Sequence, residues 1–488
     1  MNGRNLNSNK SVVSNFLWRF MERCGAEGVA FIVSIVLARL LTPEHYAAVA
    51  LINVFTVIMS VFVDCGFTTA LIQKKNVGDL EFSTVFYFNI VMCLFIYAVL
   101  FVSAPFIAAF YKMPELTAMV RVSSIVIIIS GVRSIQSAYV SKNMLFKRFF
   151  FSTLIGTIVA AVVGIVMAYM GFGTWALIAQ HLINTLIDTL ILWITVKWRP
   201  KWMFSFEKLK DLLSYGWKIF VSKLLDQIYN NLRSLIIGKL YHSSDLSFYN
   251  KGKQFPNIIV TNINTSIDSV LLPTMSKAQD SMEKVKAMTR RSIKTSIYIM
   301  APLMMGLAFC AEPIIRLILT EKWLPCVPFM RIFCITYMFY PMHTANLNAI
   351  KAMGRSDLFL ILEVLKKVVG IVLLLSTMWF GVMPMTYSLL LSTLCSTIIN
   401  SFPNRKLLDY SYFEQIKDIL PGIILAVAMG ICVWFFKFLP VPDIIILIVQ
   451  IITGAVIYVG GSVIFKLESF SYIFEVMKSF LHRKKSDK

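Results

Sequence analysis

The chain has 488 residues, of which 57% are hydrophobic and 15% charged, and 47 Lys and Arg against 26 Asp and Glu give it a formal net charge of +21. Its mean hydropathy is +0.72. A soluble globular domain carries nearer ~25% charged residues, so this composition excludes one and indicates an all-α integral membrane protein.

Apolar stretches long enough to cross ~30 Å of hydrocarbon follow one another along the chain. They lie at about 16–40, 45–63, 83–105, 116–140, 150–170 and 175–196, then 212–238, 254–275, 293–311, 326–349, 357–379 and 384–402, and finally 418–438 and 443–465. This predicts about 14 transmembrane helices. Span 1 carries Arg19, Glu22, Arg23 and Glu27 and ends without a small-residue cleavage pattern, so it reads as a retained helix. Counting helix-end residues with the adjacent loops, roughly thirty Lys and Arg fall on the side of the N-terminus and roughly eight on the other. The positive-inside rule then places both termini in the cytoplasm. The basic balance is topological, and no nucleic-acid partner is expected. Cys24, Cys65, Cys93, Cys310, Cys326, Cys334, Cys395 and Cys432 show no paired spacing, so they read as small hydrophobes with no metal site.

An internal repeat organises the spans. Ser34-Ile-Val-Leu-Ala-Arg-Leu40 and Ser234-Leu-Ile-Ile-Gly-Lys-Leu240 match at a separation of 200, which sets Arg23 on Lys223. Span 2 matches span 8 after a small insertion, with Asn53 on Asn257 and Asp64 on Asp268. Six spans per repeat make the two halves parallel, related by an axis along the membrane normal. The expected division is 1–200, 201–405, and 406–488 for two extra helices with an amphipathic basic tail. A second amphipathic stretch, Phe204 to Leu213, lies in the linker between the halves. Both stretches fit interfacial helices or ordinary surface helices.

A cation at the bilayer centre costs about 2.5–3.5 kcal/mol on insertion scales, so intramembrane charges demand an account. Arg121, Arg331 and Arg133 lie near span ends, where long stems allow snorkelling. Lys366 and Lys367 follow Glu363 closely enough for an intrahelical ion pair. Arg19, Arg23 and Glu27 share one face of span 1, and Lys223, Asp226, Asn230 and Arg233 share one face of span 7. Asn53, Thr56, Ser60 and Asp64 stripe span 2, while Asn257, Thr261, Asn264 and Asp268 stripe span 8. Four polar stripes on two repeat-related pairs are expected to line a hydrated, cationic cavity. Glu27, Asp64, Asp226 and Asp268 either couple transport to Na⁺ or protons or pair with the cations. No other cofactor is expected.

A series of short signatures runs along the chain: Leu40-Leu-Thr-Pro-Glu44, Asp64-Cys-Gly-Phe-Thr-Thr-Ala-Leu-Ile-Gln73, Ala104-Pro-Phe-Ile-Ala-Ala-Phe-Tyr111 and Leu213-Ser-Tyr-Gly-Trp217. Ser247-Phe-Tyr-Asn-Lys-Gly252, Leu272-Pro-Thr-Met-Ser276, Ala311-Glu-Pro313, Glu321-Lys-Trp-Leu-Pro325 and Gly354-Arg-Ser-Asp357 continue it. In order and spacing these resemble the Wzx-type polysaccharide flippases, and within them the WzxC-like branch of the MOP superfamily that also holds MATE and MurJ. The resemblance implies a V-shaped bundle that flips an undecaprenyl-pyrophosphate-linked oligosaccharide by alternating access. It further implies membrane lipid, a polysaccharide polymerase and export machinery as partners. Basic residues on spans 1, 7 and 8 line the cavity in such proteins. The carry-over reaches Arg19, Arg23, Lys223 and Arg233, but span 8 offers Asn and Asp without a deep cation.

Two other classes compete. A membrane polymerase or ligase would need catalytic groups on long outer loops, yet these loops are short and no DxD, HExxH or Ser/His/Asp pattern occurs. His45, His181, His242, His343 and His482 are isolated. A drug or metabolite exporter of the same superfamily shares the fold and is the nearer rival.

Overall fold

A computed structural model describes residues 25–475 and 478, apart from 65, 66, 75 and 76. Arg19, Glu22, Arg23, Cys24, Cys65 and the end of the basic tail lie outside the described residues. Among those described, regular structure is helical throughout.

The chain divides into two compact units, Met1–Ser247 and Phe248–Lys488. In the first, α1 occupies 25–40. It is followed by α2 (Pro43–Asp64), α3 (Phe67–Gln73), α4 (Asp79–Tyr111), α5 (Leu116–Ser123), α6 (Ile125–Lys142), α7 (Phe146–Tyr169), α8 (Thr174–Thr195) and α9 (Phe206–Leu240). Helix α10 (Ser243–Lys277) carries the chain across the boundary. The second unit continues with α11 (Met282–Phe309), α12 (Ala311–Leu319), a 3₁₀ turn, α13 (Val327–Met338), α14 (Tyr340–Ala352), α15 (Ser356–Thr377), α16 (Val382–Leu407), α17 (Tyr412–Trp434) and α18 (Asp443–Ile464). The unit boundary falls inside α10, past residue 200 where the repeat divides the sequence.

Ten segments among the described residues are long and apolar enough to cross a membrane. Helices α9 and α10 are absent from that set because Lys, Asp, Asn, Ser and Thr dilute their hydropathy, and α15 because it carries Asp357, Glu363, Lys366 and Lys367. Several helices begin well before the apolar windows, α9 at Phe206 and α11 at Met282, because backbone hydrogen bonding continues through residues that hydropathy does not count. Two expected spans are each broken into two helices. One break falls at Ser124, whose hydroxyl donates to the Val120 carbonyl at 2.6 Å, and the other at Phe339, just before Pro341.

The repeat is visible at its joints. Helix α1 ends at 40 and α2 starts at Pro43, while α9 ends at Leu240 and α10 starts at Ser243, so the 200-residue offset survives the turn. Helix α10 is 35 residues long against 22 for α2, and this extra length absorbs the shift between Asn53 and Asn257.

In the first unit, α7 carries a small residue every fourth position: Gly156, Ala160, Gly164 and Ala168. That stripe lets α8 approach until a Cβ at Gly164 would lie 3.0 Å from Gln180 Cβ, and one at Gly156 3.1 Å from the Asn184 carbonyl. The linker divides its apolar residues, with Trp202, Phe204 and Phe206 exposed and its leucines turned inward. Leu209 and Leu212 join Phe67, Phe82, Leu192 and Trp198 in a buried cluster, and the Trp198 indole donates to Asp79 at 2.9 Å. The amphipathic linker thus runs into the opening of α9, with Leu209 and Leu212 in the protein core and Phe204 and Phe206 on the surface. Of the described cysteines, Cys93, Cys310, Cys326 and Cys334 are buried as small hydrophobes, whereas Cys395 is half-buried and Cys432 exposed.

Candidate functional site

Helices α2 and α9 lie side by side and antiparallel in the first unit. A Cβ at Gly238 would sit 2.5 Å from Leu51 Cδ2, and the Phe62 and Phe220 rings meet at 4.9 Å. Asn53, Thr56 and Ser60 of α2 and Lys223, Asn230 and Arg233 of α9 therefore lie on two neighbouring helices, which meet along one seam.

Along the seam Asn53, Ser60, Lys223 and Asn230 are exposed, Asp226 is half-buried, and Thr56 is buried with its hydroxyl on the Ile52 carbonyl at 3.0 Å. Arg233 is 6% exposed, and its Nε and Nη2 have no hydrogen-bond partner. Glu27 is exposed on α1. The side chain of Asp64, like Arg19 and Arg23, is outside the described residues.

In the second unit the α10 stripe is also presented outward, with Asn257, Thr261 and Asp268 exposed. Asp268 Oδ1 accepts from Asn348 Nδ2 at 2.9 Å, and Asn264 Oδ1 is buried with no partner. Pro256 and Pro273 interrupt the backbone ladder of this helix.

Other intramembrane charges sort by contact. Glu363 and Lys366 form the expected intrahelical pair at 2.5 Å. Arg121 stacks 4.2 Å over Phe101 and donates to its carbonyl at 3.2 Å, consistent with a cation at a span end. Arg133 corrects the snorkelling expectation. It pairs with Asp188 of α8 at 2.5 Å, and Asp188 is only 5% exposed. Asp188 continues the face of Ala176, Gln180 and Asn184 that packs on the α7 glycines, a four-residue spacing that was available in the sequence. A further buried set escaped the sequence reading. Asn346 Nδ2 donates to Gln415 Oε1 at 2.8 Å, Asn404 Nδ2 to Asn346 Oδ1 at 2.6 Å, and Ser401 to Gln415 at 3.1 Å. These groups bind α14, α16 and α17 together as interhelical glue.

Residues 36–328 match a family model described as polysaccharide biosynthesis protein. The chain belongs to this family. Among curated relatives, the succinoglycan biosynthesis transport protein ExoT of Rhizobium meliloti is 24% identical over 67% of this chain and 66% of its own length. The lipopolysaccharide biosynthesis protein WzxC of Escherichia coli is 20% identical over 86% of this chain and 88% of its own length. Among solved structures, the lipid II flippase MurJ in an inward closed conformation aligns with a TM-score of 0.75, at 15% identity, over 93% of this chain and 99% of MurJ. An inward-facing multidrug resistance MATE transporter of the MOP superfamily aligns at 0.62 and 14% identity, over 78% of this chain and 94% of the transporter. This polysaccharide biosynthesis family member is thus a multi-pass membrane protein with the MurJ and MATE fold.

Proposed function

We propose that the protein is a flippase that moves an undecaprenyl-pyrophosphate-linked oligosaccharide from the cytoplasmic to the outer leaflet of the bacterial cytoplasmic membrane. Helices α1, α9, α10 and α15 would cross together with the ten apolar segments, for fourteen spans and both termini inside. The observation that carries it is the exposed seam of α2 and α9 with Lys223 midway along a 35-residue helix. A charge exposed there would cost about 2.5–3.5 kcal/mol against hydrocarbon, so the seam faces water. A wet, cationic path suits a pyrophosphate and a hydrated sugar, whose phosphates exchange water for Lys and Arg donors. Arg19, Arg23, Lys223 and Arg233 would hold the phosphates, and Asn230, Asn257 and Asn264 the sugar hydroxyls. Glu27, Asp64, Asp226 and Asp268 would set the charge balance or bind a coupling Na⁺ or proton. Flux that is unchanged when the Na⁺ and pH gradients are collapsed removes the coupling role. No bond is made or broken in such a cycle. A polymerase and export machinery would take up the flipped unit.

The test is deletion of the gene followed by analysis of lipid-linked intermediates, with complementation by Lys223→Ala and Lys223→Arg. Complete repeat units building up on the cytoplasmic face support the flippase. Unpolymerised units outside would indicate a polymerase, and an unaltered lipid-linked pool would indicate an exporter of another substrate. A charge-assisted contact contributes about 1.5–3 kcal/mol, so Lys223→Ala should lower flux about 10- to 100-fold at normal protein levels, with partial rescue by Lys223→Arg.

A further inference from the structure

Helix α11 opens with five cations, Lys284, Lys286, Arg290, Arg291 and Lys294. Three of them fall on one face at four-residue intervals and meet carboxylates. Lys286 pairs with Asp409 at 3.2 Å, and Arg290 holds Asp418 through two bonds of 2.7 Å. Lys294 lies 3.7 Å from Asp418 and also binds Glu468, which follows α18 in the chain. Arg291 is offset from this face. Its guanidinium stacks 4.4 Å over the Tyr472 ring, and among the described residues no carboxylate lies within salt-bridge distance of it.

Arg291 stands at the junction of two cavities. One, of about 250 Å³, is lined by Arg290, Arg291, Lys294, Thr295, Ser469 and Tyr472, with the Lys294-paired Glu468 as its one carboxylate. The other, of about 300 Å³, is lined by Ile267, Val270 and Leu271 of α10, by Met288 of α11, and again by Arg291, Thr295 and Tyr472. A cationic, hydroxyl-rich mouth therefore opens into an apolar trough, with one guanidinium and one tyrosine common to both. A free phosphate would use only the mouth, and a neutral apolar molecule only the trough. An amphiphile with a phosphodiester head and an acyl chain uses both.

We infer that this composite cavity binds an anionic phospholipid of the surrounding bilayer, its phosphodiester at Arg291 and Thr295 and one acyl chain along Val270 and Leu271. Guanidinium donors match phosphate oxygens in two-point geometry, and among the described residues no carboxylate pairs with Arg291 to compete for them. Because Tyr472 forms one wall, a bound lipid would fasten the segment after α18 to α10 and α11. None of these residues belongs to the seam of α2 and α9, so the inference does not depend on what the protein carries.

The experiment is native mass spectrometry of the delipidated full-length protein, titrated with dioleoylphosphatidylglycerol or dioleoylphosphatidylcholine. The wild type should retain phosphatidylglycerol at least fivefold better, Arg291→Gln should abolish that preference, and Arg291→Lys should keep part of it. Val270→Trp, which fills the trough, should weaken phosphatidylglycerol while leaving overall fold and elution volume unchanged. Equal retention of the two lipids by the wild type, or an undiminished preference in Arg291→Gln, would overturn the proposal. Displacement by millimolar inorganic phosphate would reassign the mouth to a free anion. Stronger binding of undecaprenyl phosphate than of phosphatidylglycerol, lost in Arg291→Gln, would reassign the cavity to an isoprenoid carrier lipid.

Discussion

Glycine acts in opposite directions at two positions of this chain. Gly252 lies in the signature Ser247-Phe-Tyr-Asn-Lys-Gly252, and a Cβ there would be 2.8 Å from Phe329 Cβ and 2.9 Å from both the Cys326 carbonyl and the Met330 nitrogen. Two of those atoms are backbone and cannot swing away. Gly460, in α18, has nothing within 4 Å of the corresponding point. Alanine in a helix interior gains about 0.5–1 kcal/mol over glycine, whereas overpacking costs about 1–3 kcal/mol. Gly460→Ala should therefore raise the melting temperature of the detergent-solubilised protein, and Gly252→Ala should lower it. Equal shifts of the same sign would mean that α10 and α13 can part at no cost. The signature thus records a steric limit, the contact of α10 with α13, which the sequence pattern could mark but not explain. Arg133 makes the same point from the other side. Its charge was plain in the sequence, but its partner Asp188 is 55 positions away and found only through the α7–α8 packing.

Element by element, helices were legible wherever an apolar window coincided with hydrogen-bonded backbone, and less so at their polar ends. The segment after α18 illustrates the gap. Its spacing of Leu467, Phe470, Ile473 and Phe474 suits an interfacial or a surface helix, yet polar contacts fasten its start, Glu468 to Lys294 and Tyr472 to Arg291. The Lys294 hydrogen bond and charge hold Glu468 below the usual carboxylate range, with Arg290 adding to this and Asp418 opposing it. Because the docked value is depressed, the contribution of this pair to docking is complete above the ordinary Glu value of about 4.3 and is lost as pH falls through the docked one. Glu468 is exposed, so the gain is small and salt should weaken it. Limited proteolysis between α18 and the chain end should accelerate as pH falls below about 4.3, and Glu468→Gln should show the faster rate at neutral pH. A Glu468→Gln variant as resistant as wild type at neutral pH would show that the Tyr472 contact suffices.

Across the whole molecule, hydropathy and the internal repeat disagree about α9 and α10. By hydropathy they are too polar to cross; the repeat reads them as spans, since α9 and α10 reproduce the joint of α1 and α2 with the offset of 200 intact. The disagreement has a physical resolution. A helix that lines a hydrated path exchanges apolar residues for Asn, Ser, Thr and Lys on the wet face, so the polarity that removes α9 and α10 from a hydropathy count is what transport of a charged, hydrated cargo needs. The positive-inside rule turns this into positions. If α9 and α10 cross, the joint at His242 faces outward; if they do not, it shares the side of the basic loop at Asp280. The same logic applies to Phe380, between α15 and α16. Single cysteines at His242, Phe380 and Asp280 in a background lacking exposed Cys432 would be probed in intact cells with a membrane-impermeant maleimide. Labelling at His242 and Phe380 with protection at Asp280 until the cells are permeabilised is the expected outcome. Protection at His242 would leave α9 and α10 on the inner surface, and Lys223 would then need no aqueous path through the bilayer.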